Sequence, residues 1–256
     1  MIDTHAHLYA EEFKTDSDEM FQRCVKAGVS KILLPNIDLD SIDGLKLLTE
    51  RYPGMCYGMM GLHPCSVDKN YAEVLRTLKT ELYSGFRYYA VGEIGIDLYW
   101  DKTFHAEQED AFLTQCHWAL DLKLPIAIHT RSATYETIRC LKTLPAQPGG
   151  VFHCFSGSAE EAREIIKLGY YLGIGGVVTY KNAGLPEVLK SIDPSHLLLE
   201  TDAPYLSPVP FRGKRNESSY LPLIAEKLAA IYEINVNEIV AITSENATQL
   251  FKLNQN

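Results

Sequence analysis

Histidine and acidic residues recur in this chain directly after short apolar segments. His5 and His7 are separated by one residue, so in an extended segment both imidazoles point to the same face. Imidazoles and carboxylates that converge on one point are typical ligands of divalent metal ions, which activate water for hydrolysis. Residues of this kind after apolar segments are His5, His7, His63, Glu93, His129, His153, Glu200 and Asp202. An isolated His-x-His pair is more often polar surface, so the prediction depends on the elements that carry the whole set.

The apolar segments have the pattern of strands that alternate with helices. Short runs rich in β-branched residues alternate with longer amphipathic stretches, which is typical of parallel strands joined by crossover helices. Helical spacing is found at 107–122, 159–168, 220–232 and 236–250. The predicted strands are 1–7, 31–36, 56–61, 89–95, 126–131, 151–155, 170–175 and 196–202. Eight such units in 256 residues favour an α/β fold, a (β/α)8 TIM-type barrel forming one domain over 1–256.

In such a barrel the carboxyl ends of the strands meet at one rim, where active sites lie. Four histidines and two carboxylates then have the composition of a site for two divalent ions. Glu93 ends an apolar strand and is predicted to need a cation, because burying an unpaired carboxylate costs on the order of several kcal/mol. Since it can offer one oxygen to each ion, it is predicted to bridge them. His5 and His7 are predicted to bind the first ion, and His129 and His153 the second. Imidazole ligation suits zinc, manganese, cobalt or nickel, and the carboxylates also admit magnesium.

Three further residues are predicted to act with the metals. Asp202 is the expected remaining ligand and the acceptor of the proton from the activated water. Glu200 lies two residues earlier on the same face and is predicted to orient a metal-bound histidine, although a solvated carboxylate is an equal alternative. His63 lies in a Gly-Leu-His-Pro segment and is predicted to donate a hydrogen bond to a developing oxyanion; a turn histidine is the alternative.

Cationic and aromatic residues near the same strand ends are predicted to bind substrate. Arg131 shares the face of His129, where a guanidinium can grip a phosphate bidentately. Arg212, Lys214 and Arg215 form a basic run that either neutralises phosphates or is solvated surface. Tyr99, with Trp100, is placed to stack on a base or to form a lid. Strand alternation predicts that Cys154 is a buried thiol facing away from His153.

Composition limits the class of protein. The chain has 46% hydrophobic and 22% charged residues and a net charge of −9, which argues against coating nucleic acid through bulk electrostatics. Its six cysteines show no ligand spacing and predict reduced thiols in the cytoplasm. No apolar run is long enough to span a bilayer, and a functional His5 and His7 would exclude a cleaved leader. We expect a monomer without an obligate protein partner.

The chain resembles the TatD family of metal-dependent hydrolases, also called TatD-type deoxyribonucleases. The matching segments run from end to end and are 3–7, 61–64, 92–97, 108–112, 129–131, 153–157 and 199–206. The resemblance implies a TIM-type barrel of the amidohydrolase kind, with metal ligands at His5, His7, Glu93, His129, His153 and Asp202. It also implies hydrolysis of phosphodiester bonds at DNA ends or in short oligonucleotides, commonly inward from a 3′ end.

Two other functions remain open on the sequence alone. The first is an amidohydrolase or esterase that splits a C–N or aminoacyl-ester bond. Related barrels of that kind often bridge their metals with a modified lysine from the fourth strand, and Glu93 occupies that place here. The second is a non-catalytic metal-binding module, which would require loss of the water-activating carboxylate, whereas Asp202 is present. The nuclease is favoured because the basic loop suits a phosphate substrate.

Overall fold

The computed structural model describes residues 1–254. Short parallel strands alternate with helices along this part of the chain, as the sequence predicts. The strands are β1 Ile2–Asp3, β2 Lys31–Leu34, β3 Cys56–Gly58, β4 Val91–Asp97, β5 Ile126–Arg131, β6 Gly150–Phe152, β7 Tyr170–Ile174 and β8 Leu197–Leu199. The α-helices are α1 Ser17–Lys26, α2 Ile42–Arg51, α3 Tyr71–Leu82, α4 His105–Leu122, α5 Thr134–Thr143, α6 Ala159–Lys167, α7 Leu185–Leu189, α8 Leu221–Tyr232 and α9 Val236–Phe251.

The strands form two parallel sheets, β1-β2-β3 and β4-β5-β6-β7-β8. Backbone hydrogen bonds span both seams between the sheets. At the seam of β8 and β1, Thr4 N–H donates to Leu199 O at 3.0 Å and Asp202 N–H donates to His5 O at 2.9 Å. At the other seam, Tyr89 N–H donates to Gly58 O at 2.9 Å. The strands therefore surround one interior in chain order, and the predicted TIM-type arrangement is confirmed.

Several strands are shorter than the sequence predicts, because they end before the polar residues. Strand β1 ends at Asp3 and β8 at Leu199, so His5 and Asp202 lie on the loops that follow. Asp202 has a φ of 58°, in the left-handed region, where an extended ladder cannot continue. The apolar pattern thus locates the strands, whereas their ends are set by the turn of the chain into the barrel mouth.

Close packing of β4 against β5 brings the mouth residues together. Gly95 of β4 has a φ of 151°, and a Cβ atom there would lie 1.8 Å from the carbonyl oxygen of His129. Only glycine fits this contact. Helices such as α6 cover the outside of the barrel with buried residues Ala162 and Ile165. None of the helices in residues 1–254 has the length and apolar character required to cross a membrane.

Candidate metal centre

Glu93, in β4, is the centre of the site at the barrel mouth. It is 2% exposed, and its two carboxylate oxygens face different histidines. Oε2 lies 3.0 Å from His5 Nε2 and 3.4 Å from His7 Nε2. Oε1 lies 3.0 Å from His129 Nδ1 and 3.1 Å from His153 Nε2. The structure therefore brings together four predicted imidazole ligands from three segments of the chain around one carboxylate, with His5 and His7 at Oε2 and His129 and His153 at Oε1.

The electrostatics of the centre favour an ionised Glu93. Burial alone would raise the pKa of this carboxyl, but the facing imidazoles, His5 first, hold its pKa well below the ordinary value. The rings of His5 and His153 stack with centroids 3.8 Å apart. Nitrogen and oxygen atoms of His5, His7 and Glu93 lie within 4.8 Å of one another, as do those of His5, His153 and Asp202. This donor set fits divalent cations, which would neutralise the buried carboxylate.

Asp202 lies on the His5 and His7 side of the centre. Its Oδ1 atom is 3.9 Å from His5 Nε2 and 3.7 Å from His7 Nε2. Burial raises the pKa of Asp202 to about 6. Asp202 therefore lies beside two predicted metal ligands, where a carboxylate can act as a general base.

A buried hydrogen-bond network holds the strand ends that carry His5 and Asp202. Asp3 Oδ1 accepts from His5 N–H at 3.3 Å and from Thr201 N–H at 3.0 Å. Its other oxygen accepts from the Thr201 hydroxyl at 2.6 Å. Asn216 Nδ2 donates to Thr201 O at 2.7 Å, which fastens the loop after β8 to the strand end. Asp3 and Asn216 had no predicted role; their full burial shows only in the folded chain.

His63 contacts the same carboxylate but differs from the other histidines in its hydrogen bonding. Its Nε2 atom lies 3.4 Å from Glu93 Oε1, so it groups with Glu93 and His129 as another potential ligand set. Its Nδ1 atom accepts the Cys65 N–H at 3.0 Å. A neutral imidazole that accepts at Nδ1 carries its proton on Nε2, and a protonated Nε2 is a donor instead of a metal ligand. This geometry matches the predicted hydrogen-bond donor better than a metal ligand.

Two carboxylates support histidines from the outer side. Glu200, fully buried, has Oε1 at 3.3 Å from His153 Nδ1, an ion-pair distance without hydrogen-bond alignment. Gly173 of β7 makes room for it, since a Cβ atom there would lie 2.1 Å from Glu200 Oε2. Asp97 Oδ2 lies 2.9 Å from His129 Nε2. Burial would raise the pKa of Asp97, but the His129 contact is the main cause that lowers it to about 2.

Asp97 is the carboxylate of the centre to which the sequence analysis gave no role. Asp97 follows Glu93 by four residues in one strand, and a period of two places such residues on the same face. That spacing was the available signal. Asp97 lies behind His129 as Glu200 lies behind His153, so both predicted ligands at Oε1 have a carboxylate on their outer side.

The family model described as TatD related DNase matches residues 2–252. The chain belongs to this family. The uncharacterized metal-dependent hydrolase YabD of Bacillus subtilis is 43% identical, over 99% of this chain and 100% of YabD. The 3′-5′ ssDNA/RNA exonuclease TatD of Cronobacter turicensis is 36% identical, over 99% of this chain and 98% of its own. The crystal structure of YJJV, a TatD homolog from Escherichia coli, has a TM-score of 0.92 at 32% identity and covers 98% of both chains. The predicted TatD family and fold are confirmed.

The cations of this TatD-family chain that were predicted to bind substrate differ in their partners. The Arg131 guanidinium lies 3.8 Å from the centre of the Tyr99 ring, and that of Arg212 lies 4.6 Å from the Tyr180 ring. Within residues 1–254, no carboxylate lies at ion-pair distance from Arg131, Arg212 or Lys214. These three cations are therefore available to an anionic substrate.

Arg215 is engaged within the TatD fold itself. Its Nη1 and Nη2 atoms lie 2.6 and 2.7 Å from the two oxygens of Asp16, and Nη2 also lies 3.3 Å from Glu217. The guanidinium packs over Phe13 at 4.6 Å. Arg23 completes this cluster through its own bonds to Asp16 and Glu217. The structure thus gives Arg215 a fold-stabilising contact in place of the predicted role in substrate binding.

Arg215→Ala is expected to lower the free energy of unfolding by about 1–2 kcal/mol, because Asp16 and Glu217 then share Arg23 as their remaining cationic partner. The Arg215 contact is also the first cause that holds the pKa of Asp16 well below its ordinary value. That stabilisation is complete above the unfolded pKa of about 4 and declines in more acidic solution. Denaturant unfolding at pH 7 and about pH 3.5 should therefore show a smaller difference in acid. Lys214→Ala is the matched control, and equal stability of both variants would contradict the assignment.

The structure changes the predicted position of Cys154, although the potential metal-ligand groups of residues 1–254 do not include its thiol. Strand β6 ends at Phe152, so strand alternation no longer applies two residues later. A left-handed φ of 49° turns the chain, and Cys154 lies, half-buried, in the wall of a cavity beside His153.

Proposed function

We propose that this chain is a divalent-metal-dependent deoxyribonuclease that hydrolyses phosphodiester bonds at DNA ends, in the 3′-5′ direction. The observation that carries the proposal is the division of Glu93 between two pairs of imidazoles, beside cations without carboxylate partners. A carboxylate with this arrangement suits two adjacent cations, and the free cations suit a substrate with several phosphates. The relatives named 3′-5′ ssDNA/RNA exonuclease support the same substrate class.

The proposed ligands divide along the carboxylate. His5, His7, Asp202 and Glu93 Oε2 would hold one ion, and His129, His153 and Glu93 Oε1 the other, from among magnesium, manganese, zinc, cobalt and nickel. When bound, such ions lower the pKa of water and neutralise charge at the phosphate. Asp97 would fix the orientation of the His129 ring through its hydrogen bond, and Glu200 would stabilise His153 through its charge at 3.3 Å.

The other residues supply proton transfer and binding. Asp202, which lies beside two proposed metal ligands, is proposed to accept the proton of the attacking water. His63 presents the Nε2 proton toward the centre and is proposed to donate to a phosphate oxygen as negative charge develops there. Arg131 is proposed to pair with the scissile or neighbouring phosphate. Arg212 and Lys214 would follow the strand further from the centre.

Hydrolysis of three substrates separates the candidate functions. Metal-loaded protein is expected to degrade single-stranded DNA and to cleave a phosphodiester dye, but to leave an aminoacyl ester intact. Asp202→Asn is the matched inactive control, because it keeps the shape of the side chain and removes the proton acceptor. Activity on the ester alone would favour the amidohydrolase or esterase class. Absence of activity on all three substrates would favour a non-catalytic metal-binding protein.

We also propose that the enzyme acts as a monomer in the cytoplasm. All proposed ligands come from one chain, so the centre requires no second copy. The six cysteines are free thiols, which is typical of proteins in the reducing cytoplasm.

A further inference from the structure

A cavity of about 290 Å³ opens beside His153 at the barrel mouth. Its wall comes from the loops that follow β4, β5 and β6, and includes Tyr99, Arg131 and Phe155. One side of the cavity therefore borders a proposed metal ligand, while the rest extends away from the centre. A ligand seated there would have one end within reach of the chemistry.

The outer wall of the cavity combines an aromatic ring with a free cation. Tyr99 is 55% exposed, and the Arg131 guanidinium lies 3.8 Å from its ring centre. Trp100, 71% exposed, has its ring centre 4.8 Å from that of Tyr99 and 5.1 Å from the guanidinium. Stacked aromatic and guanidinium groups form a platform for a planar heterocycle. A heterocycle is thus the group that this wall suits.

The charge in the cavity wall identifies the second part of the ligand. The N-terminus of α6 lies nearby, but its capping box uses the backbone N–H groups of Ser158 and Glu161. These two donors are therefore not available to an anion. The cation left to meet an anion is Arg131, since no carboxylate of residues 1–254 pairs with it. Guanidinium binds phosphate bidentately. Ser132, Thr134 and Ser156 also line the cavity.

The size of the cavity limits the ligand to one unit. A volume of about 290 Å³ lies at the lower end of the range for small-molecule sites. A base joined to a sugar and one phosphate is of this order, whereas a stretch of several nucleotides is larger. A base can stack on the platform only when it is not paired with another strand.

We propose that this cavity binds a single nucleotide unit, with its base stacked on the Tyr99 ring and its phosphate bound by the Arg131 guanidinium on the side toward His153. The inference rests on the proposed function, because it assigns the cavity to the terminal nucleotide of the substrate. Binding one unpaired unit beside the centre would lead to release of one nucleotide per turnover.

Ligand binding tests the site without relying on turnover. Trp100 is the exposed member of the two tryptophans, the other being Trp118 at 4%, so tryptophan fluorescence reports on the platform. We would titrate the full chain with thymidine 5′-monophosphate, 2-deoxyribose 5-phosphate and inorganic phosphate. Thymidine 5′-monophosphate is expected to bind at least about 10-fold more tightly than the sugar phosphate. Equal affinity for all three would overturn the proposal, since the site would then bind only an anion.

Variants locate the base. Tyr99→Ala is expected to raise the Kd for thymidine 5′-monophosphate about 10-fold or more, and Tyr99→Phe, which keeps the ring, to restore near-normal affinity. Tyr135→Ala is the matched control, because Tyr135 is 75% exposed and lies outside the cavity wall. An unchanged Kd in Tyr99→Ala would overturn the proposed base position.

The proposed function is tested separately with bis(4-nitrophenyl) phosphate, which has no base. Hydrolysis of this dye without Tyr99-dependent nucleotide binding would support the phosphodiesterase activity and contradict the nucleotide site. Nucleotide binding that depends on Tyr99, without hydrolysis of the dye or of DNA, would support the nucleotide site and contradict the nuclease activity.

Discussion

Glu93→Gln is expected to reduce kcat/KM on single-stranded DNA by about 10³-fold or more. The side chain contacts the imidazole pairs of both sides, with shortest distances of 3.0 Å to His5 and 3.0 Å to His129. An amide of the same shape has no negative charge, and its NH2 group turns a donor toward one side of the centre. One substitution therefore weakens both proposed metal positions, whereas loss of one histidine weakens one.

Metal content measured by mass spectrometry, together with steady-state rates, checks this prediction. The variant should bind less than one ion per chain, against the two proposed for wild type, and circular dichroism should show an intact fold. Glu200→Gln is a graded comparison, since it acts through His153 and is expected to cost only about 10- to 100-fold. Glu187→Gln, an exposed residue of α7, controls for removal of a carboxylate. A Glu93→Gln enzyme with normal metal content and rate would contradict the bridging role.

The polar residues at the strand ends could be predicted because barrel topology makes the order of the chain a guide to proximity. His5, Glu93 and His153 are far apart in sequence, yet their preceding apolar segments identify them as neighbours at one rim. The structure places His5 and His153 within 3.1 Å of the Glu93 carboxylate. Pattern alone was sufficient here because parallel strands fix which ends meet.

Pairing within the fold was the part that sequence did not reveal. Arg212, Lys214 and Arg215 are adjacent and chemically alike, and nothing local separates them. Arg215 differs because Asp16, 199 positions away, lies against it in the folded chain. The predicted strand ends were also too late in the chain. At Cys154 the backbone turns with a left-handed φ, and no glycine at that position indicates the turn in the sequence. Such features depend on long-range packing, which a periodicity of two or 3.6 does not encode.

The double substitution of His129→Ala and His153→Ala is expected to abolish measurable turnover, a loss of at least about 10³-fold, while the chain still folds. Both imidazoles face Oε1 of Glu93, so their loss removes the nitrogen ligands of one proposed ion and leaves His5 and His7 at Oε2. We expect the variant to retain about one ion per chain. The complementary substitution of His5→Ala and His7→Ala should also retain about one.

Comparison of the two double variants distinguishes a pair of metal positions from a single shared one. A single shared ion would be lost in both variants, leaving no bound metal in either, whereas two positions leave one ion in each. His117→Ala controls for loss of an exposed imidazole on α4. Near-normal rates in the His129 and His153 double variant would remove the second position from the proposal, because the Oε1 side of Glu93 would then have no part in the chemistry.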